Sequence, residues 1–324
     1  MITMIKTYLH ELYAGIVNGW NRFWFTPTDP ATLGLMRILG GSMLFYTHLV
    51  WSIDLTGFMG EQGRFSADLV DRMHQGSEFA FSYLWLFDGN PAMLWMVHIA
   101  ALVILLMFTL GFYSRITSVL AFIIAVSYAH RAPGALFGLD QVNVMLAMYM
   151  MLGGAGEAYS LDRLIEKWRY PNRQLPKTST AANVSIRLIQ LHMCVIYLFA
   201  GTGKLLGDTW WEGTAMWGAV ANSEYQSMDM TWLASYPLLI ALLTQVSLAW
   251  ELSYSALVWP RLTRPLVIFM AIPLHLGIAL CMGMVTFGLA MLIANMAFIS
   301  PWIIRELESG IRHKLAKEPI AEAT

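Results

Sequence analysis

The residues able to do chemistry sit inside runs that otherwise carry none. Within the apolar stretch Val184–Lys204, the residues Arg187, Gln190, Cys194, Tyr197, Gly201 and Lys204 recur every three or four positions. At about 100° per residue they share one face of a helix. At about 1.5 Å per residue the stripe is roughly 25 Å long, close to the hydrocarbon thickness of a bilayer. Such a stripe should face protein or water, and two readings are open. It is a reaction site, or it is a helix–helix seam in which Gly201 permits close approach and Arg187 and Lys204 reach opposite interfaces.

Lys204 closes this stretch and is followed by Leu205 and then Trp210-Trp211-Glu212-Gly213. Desolvation among apolar and aromatic groups disfavours an ammonium, and a neutral amine is a base near neutral pH. The alternative is an ion pair with Asp140, expected at similar depth, which would keep Lys204 charged and inert. His275 stands two residues after Pro273. Proline frees a carbonyl one turn earlier and bends a helix, so this imidazole is a candidate cavity residue. The alternative is a satisfied core histidine. Arg37 and Glu251 occupy the same half of their helices and are expected as a buried structural ion pair. Asn143, Gln245 and Asn295 are expected as interhelical hydrogen-bond partners. His130-Arg131 has two readings, an anion-binding pair or a headgroup anchor. Cys194 and Cys281 read as small hydrophobes in apolar surroundings. The chain carries no P-loop, HExxH, GxSxG or CxxC motif, and no metal-site spacing, so no metal is predicted.

The elements that must position these groups are membrane helices. In 324 residues the hydrophobic fraction is 57% and the charged fraction only 13%, too little charge for a soluble surface. The net charge of −1 offers no basic field for nucleic acid. Trp, Tyr and Phe are abundant, as at headgroup level. The fold class expected is all-α, a polytopic bundle of about eight transmembrane helices. The candidate spans are Ala31–Ile53, Ala92–Phe112, Ile116–His130, Gly138–Ala155, Val184–Lys204, Ser235–Trp259, Leu266–Met284 and Val285–Ile304. Residues 1–30 read as an amphipathic segment on the membrane surface and not as a cleavable signal. Residues 31–304 form the membrane domain, and 305–324 a cytoplasmic tail.

Orientation follows from Lys and Arg. With both termini in the cytoplasm, all basic residues except Arg37, Arg64, Arg72, Arg131 and Lys204 fall in inner segments. The segment 205–234 has no Lys or Arg but holds Asp208, Glu212, Glu224 and Asp229. The expected location is a bacterial inner membrane, with Lys204 at its outer side.

Four motifs carry a resemblance. Ala200-Gly201-Thr202-Gly203-Lys204-Leu205 followed by Trp210-Trp211-Glu212-Gly213 resembles the A-G-x-x-K-L…W-x-E-G run of the HTTM family, the membrane domain shared with vitamin K-dependent γ-carboxylase. Arg37-Ile38-Leu39-Gly40 is similar to the family's opening motif, and Tyr159-Ser160-Leu161-Asp162 to its W/Y-S-[LV]-D signature. Leu274-His275 through Phe287-Gly288 resembles its His-bearing penultimate helix. In the carboxylase the matching lysine deprotonates reduced vitamin K, whose oxidation generates the base that removes a proton from glutamate. The resemblance therefore implies Lys204 as quinol base and His275 as a cavity residue. Asp140, Asn143, Tyr197, Gly201, Trp210, Trp211, Glu212, His130 and Arg131 would line the pocket. It also implies reduced vitamin K or menaquinol as the cofactor, with the lipid bilayer, an isoprenoid quinone and an outer-side peptide or protein substrate as partners. The competing expectation is a non-enzymatic membrane accessory for maturation, export or immunity of a secreted partner.

Overall fold

In the computed structural model, which describes residues 1–75, 79–87 and 89–317, the chain is helical throughout, and no strand occurs among those residues. In chain order the helices are α1 (Ile2–Phe25), α2 (Ala31–Trp51), α3 (Leu55–Met59), α4 (Ala67–Met73), α5 (Pro91–Leu110), α6 (Ser114–Arg131), α7 (Gly138–Leu152) and α8 (Leu161–Arg169). They continue as α9 (Thr180–Lys204), α10 (Asp208–Trp211), α11 (Ala215–Val220), α12 (Pro237–Leu257), α13 (Arg264–Cys281), α14 (Val285–Asn295) and α15 (Pro301–Lys317).

Local chemistry sets the helix ends. Asn90 caps α5 by accepting from Met93 N–H, Pro91 fills the first turn, and Gly111 ends the helix at φ 68. Ser179 opens α9 by accepting from Ala182 N–H. Between these ends, α2, α5, α9, α12 and α13 are long and apolar enough to cross a membrane. This is an integral membrane protein. Outward-facing side chains such as Leu238, Leu242, Leu266, Phe269 and Phe199 are exposed, as lipid contact requires and a soluble fold would not tolerate.

Three of the expected spans differ in form. α7 has 15 residues, and α6 has 18 with Arg115, His130 and Arg131 at its ends. The expected span Val285–Ile304 is broken: α14 and its short continuation to Phe298 meet α15 at a bend of 107°. Pro301 and the extended residue Ile299 interrupt the helical backbone there. α15 runs on through the expected start of the tail, and residues 318–324 lie outside the described residues.

The core is one continuous cluster, with Leu33, Met36 and Leu44 of α2 packed among Leu105 and Phe108 of α5 and Met150 of α7. α2 lies along α5, α6 along α7, α9 along α12, and α13 along α14. At one end of the bundle several chain segments converge. Thr28 and Ser179 form an isolated antiparallel bridge. Asn183 Nδ2 donates to the carbonyls of Phe23 and Trp24, seating α1 against α9. Arg305 holds Asp29 through two bonds of 2.9 and 3.0 Å, and Tyr159 donates to Glu308 at 2.8 Å. Burial, then that bond to Glu308, pushes the Tyr159 phenol up to about 12.

The expected Arg37–Glu251 ion pair does not form. Arg37 is fully buried and spends its guanidinium on the carbonyls of Thr109, Ala155, Ala158 and Tyr159. The planar fork reaches several carbonyls where two loops meet, which an ammonium could not match. Its neighbour Gly111 has no room for a side chain, since a Cβ there would lie 2.5 Å from Nη1 of Arg37. Glu251 pairs instead with Lys204 of α9.

Candidate functional site

The polar face of α9 points into protein along its length. Arg187 donates to Gln190 Oε1 and stacks over the Phe23 ring at 4.6 Å, and Gln190 donates to the carbonyl of Ala297. Cys194 and Tyr197 are buried. At Gly201 a Cβ would fall 3.2 Å from the backbone nitrogen of Leu252, so the missing side chain lets α9 and α12 touch. That contact brings Lys204 level with Glu251.

Lys204 Nζ donates to Glu251 Oε1 in a salt bridge, with the lysine side chain 26% and the glutamate 7% exposed. The ammonium also lies 4.8 Å above the ring of Trp210, a cation–π contact. The expected alternative partner, Asp140, is elsewhere: its carboxylate accepts from Phe137 N–H and caps α7. Glu251 Oε2 is buried with no partner.

Beneath the pair is a directed chain of hydrogen bonds. Tyr254 donates to Asn295 Oδ1 at 2.7 Å, Asn295 Nδ2 donates to the Tyr197 hydroxyl at 2.8 Å, and that hydroxyl is 2.7 Å from Nε2 of His275. The Tyr197 oxygen accepts from Asn295, and Nε2 is the acceptor within reach of its own proton, so Tyr197 donates to Nε2. This assigns the His275 proton to Nδ1, a tautomer inferred from the network. Nδ1 is buried and has no partner. Aromatic rings enclose these groups: Tyr197 and Tyr254 have centroids 4.2 Å apart, Tyr197 and Trp250 4.8 Å, and Trp250 lies 6.4 Å from His275. The site thus offers one bare carboxylate oxygen, one imidazole N–H and one ammonium within an aromatic shell. Such a set suits an oxygen that changes between hydroxyl and carbonyl.

Close packing of α13 on α14 fixes His275. Pro273 lies within α13, and a Cβ on Gly288 would lie 2.5 Å from the His275 carbonyl oxygen. Phe287, beside it, packs on His275 with centroids 6.4 Å apart, and a Cβ on Gly138 would meet its ring at 2.7 Å.

The residues expected to form one pocket are divided by this arrangement. Lys204, His275, Tyr197, Gly201 and Trp210 are together. Trp211 is exposed, its indole N–H given to the Leu205 carbonyl, and Glu212 is exposed. Asp140 and Asn143 line a separate small cavity with α2 and α6. His130 and Arg131 stand at the end of α6. Arg131 donates to the carbonyls of Phe65 and Met59, and His130 meets Phe81 and, through its carbonyl, His74. Their task is to tie the segment carrying α3 and α4 to the end of α6. Trp250 and Tyr254 were not anticipated. They flank Glu251 one helical turn apart, a spacing visible in the sequence.

Fold and site together define a polytopic membrane helical bundle with a buried charged and aromatic centre. The model of the HTTM domain matches residues 25–302, and the chain belongs to that family. No curated protein and no solved structure matches the chain.

Proposed function

We propose that this protein binds an isoprenoid quinol in its membrane domain and takes a proton from it, in chemistry of the vitamin K-dependent carboxylase and epoxidase kind. The observation carrying the reading is the pair of unpartnered buried groups, Glu251 Oε2 and His275 Nδ1, beside Lys204. Buried polar atoms are nearly always satisfied, so two in one aromatic shell favour a polar ligand. A reduced vitamin K or menaquinol fits this donor set and would supply the oxidisable ring.

The ion pair refines the role implied for Lys204. An amine already donating to a carboxylate has no lone pair to offer, so the proton acceptor of the Lys204–Glu251 pair is Glu251 Oε2. Lys204 then holds the resulting oxyanion by charge, worth more in this partly desolvated setting than in open water. His275 Nδ1–H orients the ring oxygen, and Tyr197 with Asn295 holds the imidazole in that tautomer. Trp250 and Tyr254 keep water from the pair.

The same reading has the chain cross a bacterial inner membrane eight times, through α2, α5, α6, α7, α9, α12, α13 and α14. Asp29 before α2 and Arg305 in α15 touch, so they share a membrane face, which supports an even count. The Lys and Arg bias supports placing that face in the cytoplasm.

The test is titration of the purified protein with menaquinol and with vitamin K hydroquinone under oxygen, watching binding and epoxide formation. Saturable binding, lost in Lys204→Ala and Glu251→Gln, is expected. If neither quinol binds, no epoxide forms and both variants behave as the parent, the redox reading fails. The accessory reading draws on the ion pairing of Lys204, which satisfies that residue without any ligand. It predicts normal partner maturation in a Glu251→Gln variant that keeps its fold.

A further inference from the structure

A second polar centre lies between α2, α6 and α7. A cavity of ≈ 20 Å³ is lined there by His48 and Thr47 of α2, Tyr128 of α6, and Asp140 and Asn143 of α7. His48 is 5% and Asn143 4% exposed. The His48 ring gives Nδ1–H to the Leu44 carbonyl at 2.8 Å, since a carbonyl can only accept. In the neutral imidazole Nε2 is therefore a bare acceptor, and it has no partner. Asn143 Oδ1, also an acceptor, is likewise buried without one. Both residues line the one small cavity, and two acceptors cannot satisfy each other. Both need a donor, and a molecule with two donor hydrogens serves both.

We propose that this cavity is a built water site, holding one ordered water that donates to Nε2 of His48 and to Oδ1 of Asn143. Its size fits, because one water needs roughly 10–15 Å³ by this measure. The lining is polar enough, because a buried water makes about three hydrogen bonds and Tyr128 and Asp140 border the same space. The water joins α2 to α7 across the bundle. It also extends a polar path, since the Tyr128 hydroxyl is 2.6 Å from Nδ1 of His98, whose Nε2 is 2.8 Å from Ser52 Oγ. This site is distinct from the Lys204 centre and does not depend on quinol binding.

Two measurements on the full chain in lipid nanodiscs decide the matter. A cryo-electron-microscopy map sharp enough to show waters should place a peak within hydrogen-bond distance of both atoms. In thermal melts, His48→Phe and Asn143→Leu should each lower the midpoint, and the double variant should lose no more than the worse single, because one water is lost only once. A dry cavity in the map, or losses that simply add, overturns the proposal. The map of the unsubstituted protein stands as the test if either variant fails to fold.

Discussion

Lys204 donates its ammonium proton to Glu251 across the α9–α12 seam, and the second oxygen of that carboxylate has no partner. Removing one member strands a buried charge, at a cost of about 3–5 kcal/mol, whereas replacing both by apolar groups is close to neutral. Lys204→Met and Glu251→Leu should each destabilise the protein, and Lys204→Met with Glu251→Leu should recover most of the loss. A double-mutant cycle on unfolding in detergent measures this. Independent, additive losses would show that the two groups do not act as a pair.

Tyr197 sets the proton position on His275. In Tyr197→Phe the imidazole loses its donor at Nε2, and a buried polar atom left unpaired costs about 1–3 kcal/mol. Nitrogen NMR of the histidines should show a single His275 tautomer in the parent and a mixture in the variant. An unchanged spectrum would mean that something other than the Tyr197 hydroxyl orients the ring.

Gly288 and Gly277 make a matched pair on adjoining helices. A Cβ at Gly288 collides with the His275 carbonyl, while a Cβ at Gly277 meets nothing within 4 Å. Gly288→Ala should push α13 from α14 and cost about 1–3 kcal/mol. Gly277→Ala should be neutral or stabilise by up to about 1 kcal/mol, as alanine in a helix generally does. Melting curves should show a lowered midpoint for Gly288→Ala and no lowering for Gly277→Ala.

Arg37→Lys keeps the charge and loses the fork. Lysine cannot reach the carbonyls of Thr109, Ala155 and Tyr159 together, and the stranded acceptors should cost about 3 kcal/mol. The readout is again the unfolding midpoint, with Arg115→Lys, on the exposed end of α6, as the control that should not move.

Much of this was legible in the sequence, for a physical reason. Long apolar runs announce bilayer crossings, and the 3.6-residue period places the α9 stripe on one face. Partners were less legible. Arg37 and Glu251 looked matched in depth, but depth along a helix says nothing about which neighbour a side chain faces. Backbone carbonyls, which accept from both Arg37 and Arg131, carry no sequence signal at all. His48 and His98 sit in apolar helices, and intramembrane histidines invite attention wherever they occur. No short motif marks them. The break after Phe298 was hidden because the apolar run Val285–Ile304 continues through it, with only Pro301 to mark the turn.

The contact between Asp29 and Arg305 also bears on how the chain is assembled. Its two residues stand just before α2, the first of the long apolar helices, and just after the last break, with the rest of the membrane domain between them. It can close only after the intervening helices have been threaded into the bilayer and folded against one another. Asp29 and Arg305 thus form a clasp that fastens the chain ahead of α2 to the helix that follows the last apolar run, so the two ends of the membrane domain hold each other in place.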